Sequence, residues 1–119
     1  MIAHIVLFRP KADLSAAERQ TFVMTLERTC RDIDTVRRAI VGRARTSTTG
    51  VAPAYPYAAV IEFDDEPGFR SYLDHPRHAE LRELFWRTCE ATVIADIDAA
   101  EARSTASLTW LADPASERV

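Results

Sequence analysis

The sequence predicts an α+β fold, and two observations carry that prediction. Short runs of β-forming residues alternate with helical stretches in the order βαββαβ, the ferredoxin-like order of an antiparallel four-stranded sheet with its helices on one face. The strands are also apolar on both parities. A sheet covered only by its own helices would show a polar outer face, so the second face here also needs cover.

Each element has its own signal. Ile2–Phe8 (IAHIVLF) is rich in β-formers and reads as the first strand, ended by Pro10. Ser15 with Glu18 three residues later forms a capping box, and Phe22, Val23, Leu26, Cys30 and Ile33 follow at helical spacing, predicting a helix over Ala16–Asp34. Val36–Thr46 alternates loosely and reads as the second strand, and Ser47–Ala54, with Gly50 and Pro53, as a loop. Tyr55–Phe63 reads as the third strand. Asp64–Gly68 then turns into a short helix, Pro67–Leu73. Pro76 opens another helix to about Glu90, with Leu81, Leu84, Phe85, Thr88 and Cys89 on one stripe, and Thr92–Ile97 is the fourth strand.

The two-faced pattern can be read strand by strand. Ile2, Val6 and Phe8 oppose Ala3, Ile5 and Leu7. Tyr57, Ala59, Ile61 and Phe63 oppose Ala58 and Val60, and Val93, Ala95 and Ile97 oppose Ile94. The simplest cover for the second face is the same sheet of another copy, giving a two-fold homodimer. The tail beyond Asp98, with Leu108, Trp110 and Leu111, adds apolar surface that could pack on the domain, pack on the partner or stay partly disordered.

Bulk properties exclude several function classes. The 119 residues fit one domain. A net charge of −3 gives no global reason to bind nucleic acid or an anionic membrane. No apolar run approaches the roughly 20 residues of a membrane span. The apolar start lacks the basic flank of a signal peptide, so the expected location is cytoplasmic. Cys30 and Cys89 both fall at helical, mostly apolar positions and read as free thiols of a reducing compartment. Phosphate-binding glycine loops and nucleophile-elbow motifs are absent from the sequence.

The chemistry concentrates in Tyr72–Leu81 (YLDHPRHAEL). Pro76 suits the first helical position, because its missing N–H would be unpaired there anyway. That makes His75 the cap and places His78 three residues before Leu81 on the apolar stripe, pointing inward. Partial burial and the positive end of the helix dipole both favour a neutral imidazole, suited to act as a general base. Tyr72, on the short helix with Phe69, can reach the same space. His4 sits among apolar strand residues and needs partners for its nitrogens, and Tyr57 is the other polar-tipped residue of the sheet interior. If His4, Tyr57, Tyr72 and His78 share the gap between sheet and helices, the gap has the apolar character with a few polar tips of a small-molecule pocket. His75 and His78 have no cysteine or paired carboxylate to complete a metal site.

AHIVLFRPK, VRRAIVGR, YAAVIEFDD and the YLDHPRHAEL…VIADID segment together resemble the stress-responsive α/β-barrel (Dabb) family, from about Ile2 to Asp98. The resemblance implies a ferredoxin-like subunit whose sheet packs back to back with a second copy, forming a dimeric α/β barrel. Members include stress-induced plant proteins and cofactor-free cyclases that close linear polyketides by aldol chemistry. Tyr72 and His78 match the acting Tyr and second His of the family's Y-x-x-H-P-x-H motif, and His4 matches its first-strand His. Where those cyclases carry a third-strand His and a pocket Tyr, this sequence has Tyr57 and Leu26, which implies a differently shaped cavity.

The expectations are therefore a domain over residues 1–98 and an extension over 99–119. The domain is expected to hold a pocket between sheet and helices, without cofactor or metal. His78 would be the base, Tyr72 would hold or polarise a substrate carbonyl, and His4, Tyr57 and Leu26 would contact a small, apolar, carbonyl-containing ligand. The alternative is a stress-related dimer that binds a ligand or serves structurally, without catalysis.

Overall fold

The computed structural model describes residues 1–46, 53–102 and 105–117; residues 47–52 of the expected loop lie outside them. The elements are β1 (Ile2–Pro10), α1 (Ala16–Asp32), β2 (Arg38–Arg43), β3 (Tyr57–Phe63), α2 (Glu66–Asp74), α3 (Pro76–Thr88) and β4 (Cys89–Asp98), followed by two 3₁₀ segments, Thr105–Ala112 and Pro114–Glu117. The sheet is antiparallel throughout, in the order β2-β3-β1-β4, which is the α+β ferredoxin-like arrangement.

Local chemistry explains the boundaries. The Ser15 hydroxyl accepts from the Glu18 N–H while the Glu18 carboxylate accepts from the Ser15 N–H, completing the capping box. α1 stops at Asp32 rather than Asp34 because Ile33 turns extended and buries its side chain in the core. β2 is shorter than Val36–Thr46. Val36 closes a turn onto the Ile33 carbonyl, and at the other end its partner β3 begins only after Pro56, which has no amide hydrogen for the ladder. β4 is longer than Thr92–Ile97, because β1 offers a full-length edge and pairs with it from Ile2↔Asp98 to Pro10↔Cys89.

Two clusters on the helix side form the core. Val6, Phe8, Phe22, Leu26, Ala59, Leu81, Leu84 and Cys89 make one, and Ile2, Ile33, Ile61, Phe63, Phe69 and Tyr72 the other. Half-buried Cys30 packs against both. Aromatic edges lock the first cluster, with Phe22 and Phe85 rings 4.8 Å apart and Phe8 and Phe85 5.1 Å apart.

The other face of the sheet is a continuous apolar surface. In register across the strands lie Ile40, Val60, Ile5 and Ala95, flanked by Ala58, Leu7 and Val93 and by Ala3 and Ile97. Ile40, Val93 and Ile97 are exposed on it. No helix of this chain covers this face among the described residues, as the two-faced strand pattern requires. At the sheet edge, Arg38 on β2 and Arg37 just before it are exposed, and Arg37 pairs with Asp64 at 3.1 Å.

Candidate functional site

One residue sets the geometry of the histidine corner. His75 ends α2 by donating its N–H to the Tyr72 carbonyl (3.2 Å), and starts α3 by accepting the Arg77 N–H on Nδ1 (3.0 Å). Pro76 in the next position prevents the two helices from merging. The sharp joint brings Tyr72, on the last turn of α2, against His78, on the first turn of α3, with ring centroids 4.7 Å apart. The start of α3 is also anchored to α1. The buried Thr29 hydroxyl donates to the Thr25 carbonyl (2.8 Å) and approaches that of Arg77 (3.4 Å), and the Arg77 guanidinium lies 3.5 Å from Asp32.

His78 is half-buried, and its Nδ1 lies 3.1 Å from the Leu73 carbonyl. A carbonyl oxygen can only accept, so Nδ1 carries the hydrogen and the neutral ring keeps its lone pair on Nε2. Burial pulls the imidazole below its ordinary value, outweighing the opposing hydrogen bond to Leu73, and the nearby His4 and Arg82 add to the lowering. Tyr72 is 1% exposed. Burial above all, and then the charges of Cys30 and Asp96, raise its phenol well above the usual tyrosine range, so it stays protonated and able to donate.

His4 occupies the neighbouring position on β1. It is buried, with its ring 5.8 Å from Tyr72 and 5.6 Å from Phe69. Its Nδ1 lies 2.5 Å from an Asp96 carboxylate oxygen, and the two residues are direct partners across β1 and β4. Asp96 thus supplies the polar partner that a buried His4 requires. No sequence motif singles out Asp96. The available signal was a carboxylate on the same parity as Ile94, the helix-facing side of β4, where an apolar residue is the norm.

Tyr57 and Leu26 lie elsewhere. They line an apolar cleft of about 520 Å³ between α1 and the β2–β3 edge, with Phe8, Phe22, Val23 and Cys30, and Arg19 and Glu27 stand at its rim. Tyr57 stacks on Phe8 at 5.6 Å, and Phe8 pairs with it across the sheet. His4, Tyr72 and His78 do not line this cleft. The expected single constellation is therefore two adjoining regions, a His4–Tyr72–His78–Asp96 corner and an apolar cleft. Cys30 lines the cleft and also packs against the core cluster that contains Tyr72. Burial raises the thiols of both Cys30 and Cys89, which keeps them protonated, and the two are free.

Among the described residues, no helix is long and apolar enough to cross a membrane, and no three His, Cys, Asp or Glu side chains converge as a metal site.

The model of the Stress responsive A/B Barrel Domain matches residues 2–99. A stress-response A/B barrel domain-containing protein of Arabidopsis thaliana is 24% identical over 106 residues, covering 89% of this chain and 93% of that protein. The crystal structure of a dimeric ferredoxin-like protein of unknown function from Thermobifida fusca superposes with a TM-score of 0.66 at 25% identity, over 81% of this chain and 88% of that one. A hydroxynitrile lyase from Passiflora edulis superposes with a TM-score of 0.75 at 19% identity, over 85% of this chain and 94% of the lyase.

Proposed function

We propose a function for a chain that belongs to the stress-responsive A/B barrel (Dabb) family: a homodimeric, cofactor-independent lyase or cyclase acting on a small, apolar, carbonyl-containing compound. The observation that carries this reading is the Nδ1 contact of His78 with the Leu73 carbonyl, which leaves Nε2 as an acceptor beside a protonated Tyr72. In this reading Nε2 removes the α-carbon proton of a ketone and the Tyr72 hydroxyl donates to the oxygen that gains charge; with a hydroxynitrile, Nε2 takes the hydroxyl proton, the C–CN bond breaks as the C=O forms, and the imidazolium returns the proton to the departing cyanide. His4, braced by Asp96, lies beside Tyr72, and the cleft at Phe8, Leu26 and Tyr57 takes the apolar body of the ligand. The dimeric neighbour and the uncovered apolar sheet face support pairing of two copies through that face.

Aldol closure of a linear poly-β-ketone and cleavage of a hydroxynitrile to a carbonyl and cyanide both fit this acid–base pair. The lyase neighbour makes the second class worth testing. The test is turnover of both substrate classes by the native chain, His78→Ala and Tyr72→Phe. The expected result is activity in the native chain that falls at least roughly 10²-fold in each variant. Equal activity in all three would refute the assignment.

A second reading has its own observation. The cleft and the histidine corner are separated at Cys30, so an apolar ligand could bind in the cleft without meeting His78. Under that reading the chain is a non-catalytic binding dimer. Ligand affinity would then depend on Leu26 and Tyr57 and remain unchanged in His78→Ala.

A further inference from the structure

On the far side of α3 lies a second groove, of about 420 Å³, between that helix and the helix-facing side of edge strand β4. Phe85, Trp86, Cys89 and Ile94 line it, with Arg82 and Glu90 at its rim. Trp86 is 80% exposed and Ile94 59%. Fully presented tryptophan beside an open apolar groove marks an interaction surface rather than an ordinary monomer surface.

The chain also carries an unplaced apolar element. The 3₁₀ segment Thr105–Ala112 lies beyond the family-matched residues 2–99 and exposes Trp110 (48%) and Leu111 (70%). Pro114–Glu117 braces it, with the Ser116 hydroxyl and the Asp113 N–H both donating to the Trp110 carbonyl. The result is a small knob with an apolar tip. Residues 105–117 carry the carboxylates Asp113 and Glu117, and Arg103 and Arg118 lie just outside them in the sequence. In the groove, Glu90 is already held by Arg9 at 2.6 Å, which leaves Arg82, among the described residues, as the rim charge free to pair with Asp113 of the knob.

We infer that the tail knob of one copy docks into the α3–β4 groove of a second copy, with Trp110 and Leu111 against Trp86 and Ile94. The direction of β4 favours the partner's groove over the chain's own. The chain leaves β4 at Asp98, about 20 Å along the strand from the groove residue Thr92, and a tail filling its own groove would have to double back along that length. A two-fold axis lying across the strands reverses their direction and brings the end of one β4 to the start of the other. The opposite face of β4, with Val93, Ala95 and Ile97, is part of the apolar sheet surface, so knob and groove continue the proposed pairing face around the sheet edge. The inference rests on that pairing.

The test uses the full chain with Cys30→Ser and Cys89→Ser, carrying either Trp86→Cys or Leu111→Cys. Mild oxidation of the two singly substituted proteins mixed together should give a covalent heterodimer, with far less covalent product from either alone. In the otherwise native chain, Trp110→Ala should weaken dimerisation by about tenfold or more in sedimentation. Cross-linking confined within a chain carrying both new cysteines would overturn the inference. A sedimenting dimer with no cross-link and no effect of Trp110→Ala would overturn it while leaving sheet pairing intact. A monomeric native chain would overturn both.

Discussion

The two ends of the helix-covered sheet face share strand β1 and differ in character. At one end, around Phe8, Tyr57 and Leu26, the side chains are almost all apolar and leave a cleft. At the other, His4, Tyr72, His78 and Asp96 meet through hydrogen bonds and ring contacts in tightly packed surroundings, and burial shifts the protonation of Tyr72 and His78. Under the proposed function, size selection and chemistry are therefore separable: volume is provided where α1 stands off β2, and reactivity where a proline joint forces two helix ends together.

Substitutions should respect that division. The largest stability effect is expected from Leu26→Ala. Leu26 is buried in the core beside the cleft, so its truncation should cost about 2–4 kcal/mol in denaturant unfolding. An unchanged midpoint would show that the cleft wall is not part of the core. Tyr72→Phe keeps the ring packed against Phe63 (5.0 Å) and His78. It should shift stability by no more than about 1 kcal/mol while lowering turnover roughly 10²-fold. A loss of stability without a loss of turnover would move Tyr72 from the chemistry to the core.

Asp96→Asn comes next. The carboxylate is 45% exposed, so the bond to His4 is partly screened and its loss should cost below about 1 kcal/mol of stability. Turnover should fall several-fold through a less firmly oriented His4, and an unchanged rate would place Asp96 outside the site. The smallest effect is pH dependence. His78 is held below its ordinary value of 6.5 in the folded chain, so the unfolded chain binds more protons just below that pH. The contribution of His78 to stability is therefore present above about 6.5 and diminishes as pH falls. The acid limb of turnover should sit below 6.5 and disappear in His78→Ala. An acid limb above 6.5 would contradict a depressed base.

Much of this was legible in the residues. The capping box at Ser15 and Glu18, the joint at His75–Pro76 and the two-sided strands are local patterns, and local hydrogen bonds and side-chain alternation decide them. His78, Tyr72 and His4 meet because the βαββαβ order leaves little freedom in where β1 and the α2–α3 joint can lie. Three features needed the third dimension. Asp96 becomes a partner of His4 only through the β1–β4 register, which no local pattern states. Strand extents depend on the neighbour, so β4 lengthened along β1 and β2 shortened against β3. The separation of Tyr57 and Leu26 from the histidines arises because Cys30 fills the space between two core clusters, a packing result invisible to periodicity.

The central claim is that His78 presents a neutral Nε2 lone pair beside Tyr72 near neutral pH. Nitrogen-15 NMR of the His78 ring across a pH titration tests it most directly. The expected result is the Nδ1–H tautomer at pH 7, with the midpoint of protonation below 6.5. A hydrogen on Nε2 at pH 7, or a midpoint above 6.5, would contradict it.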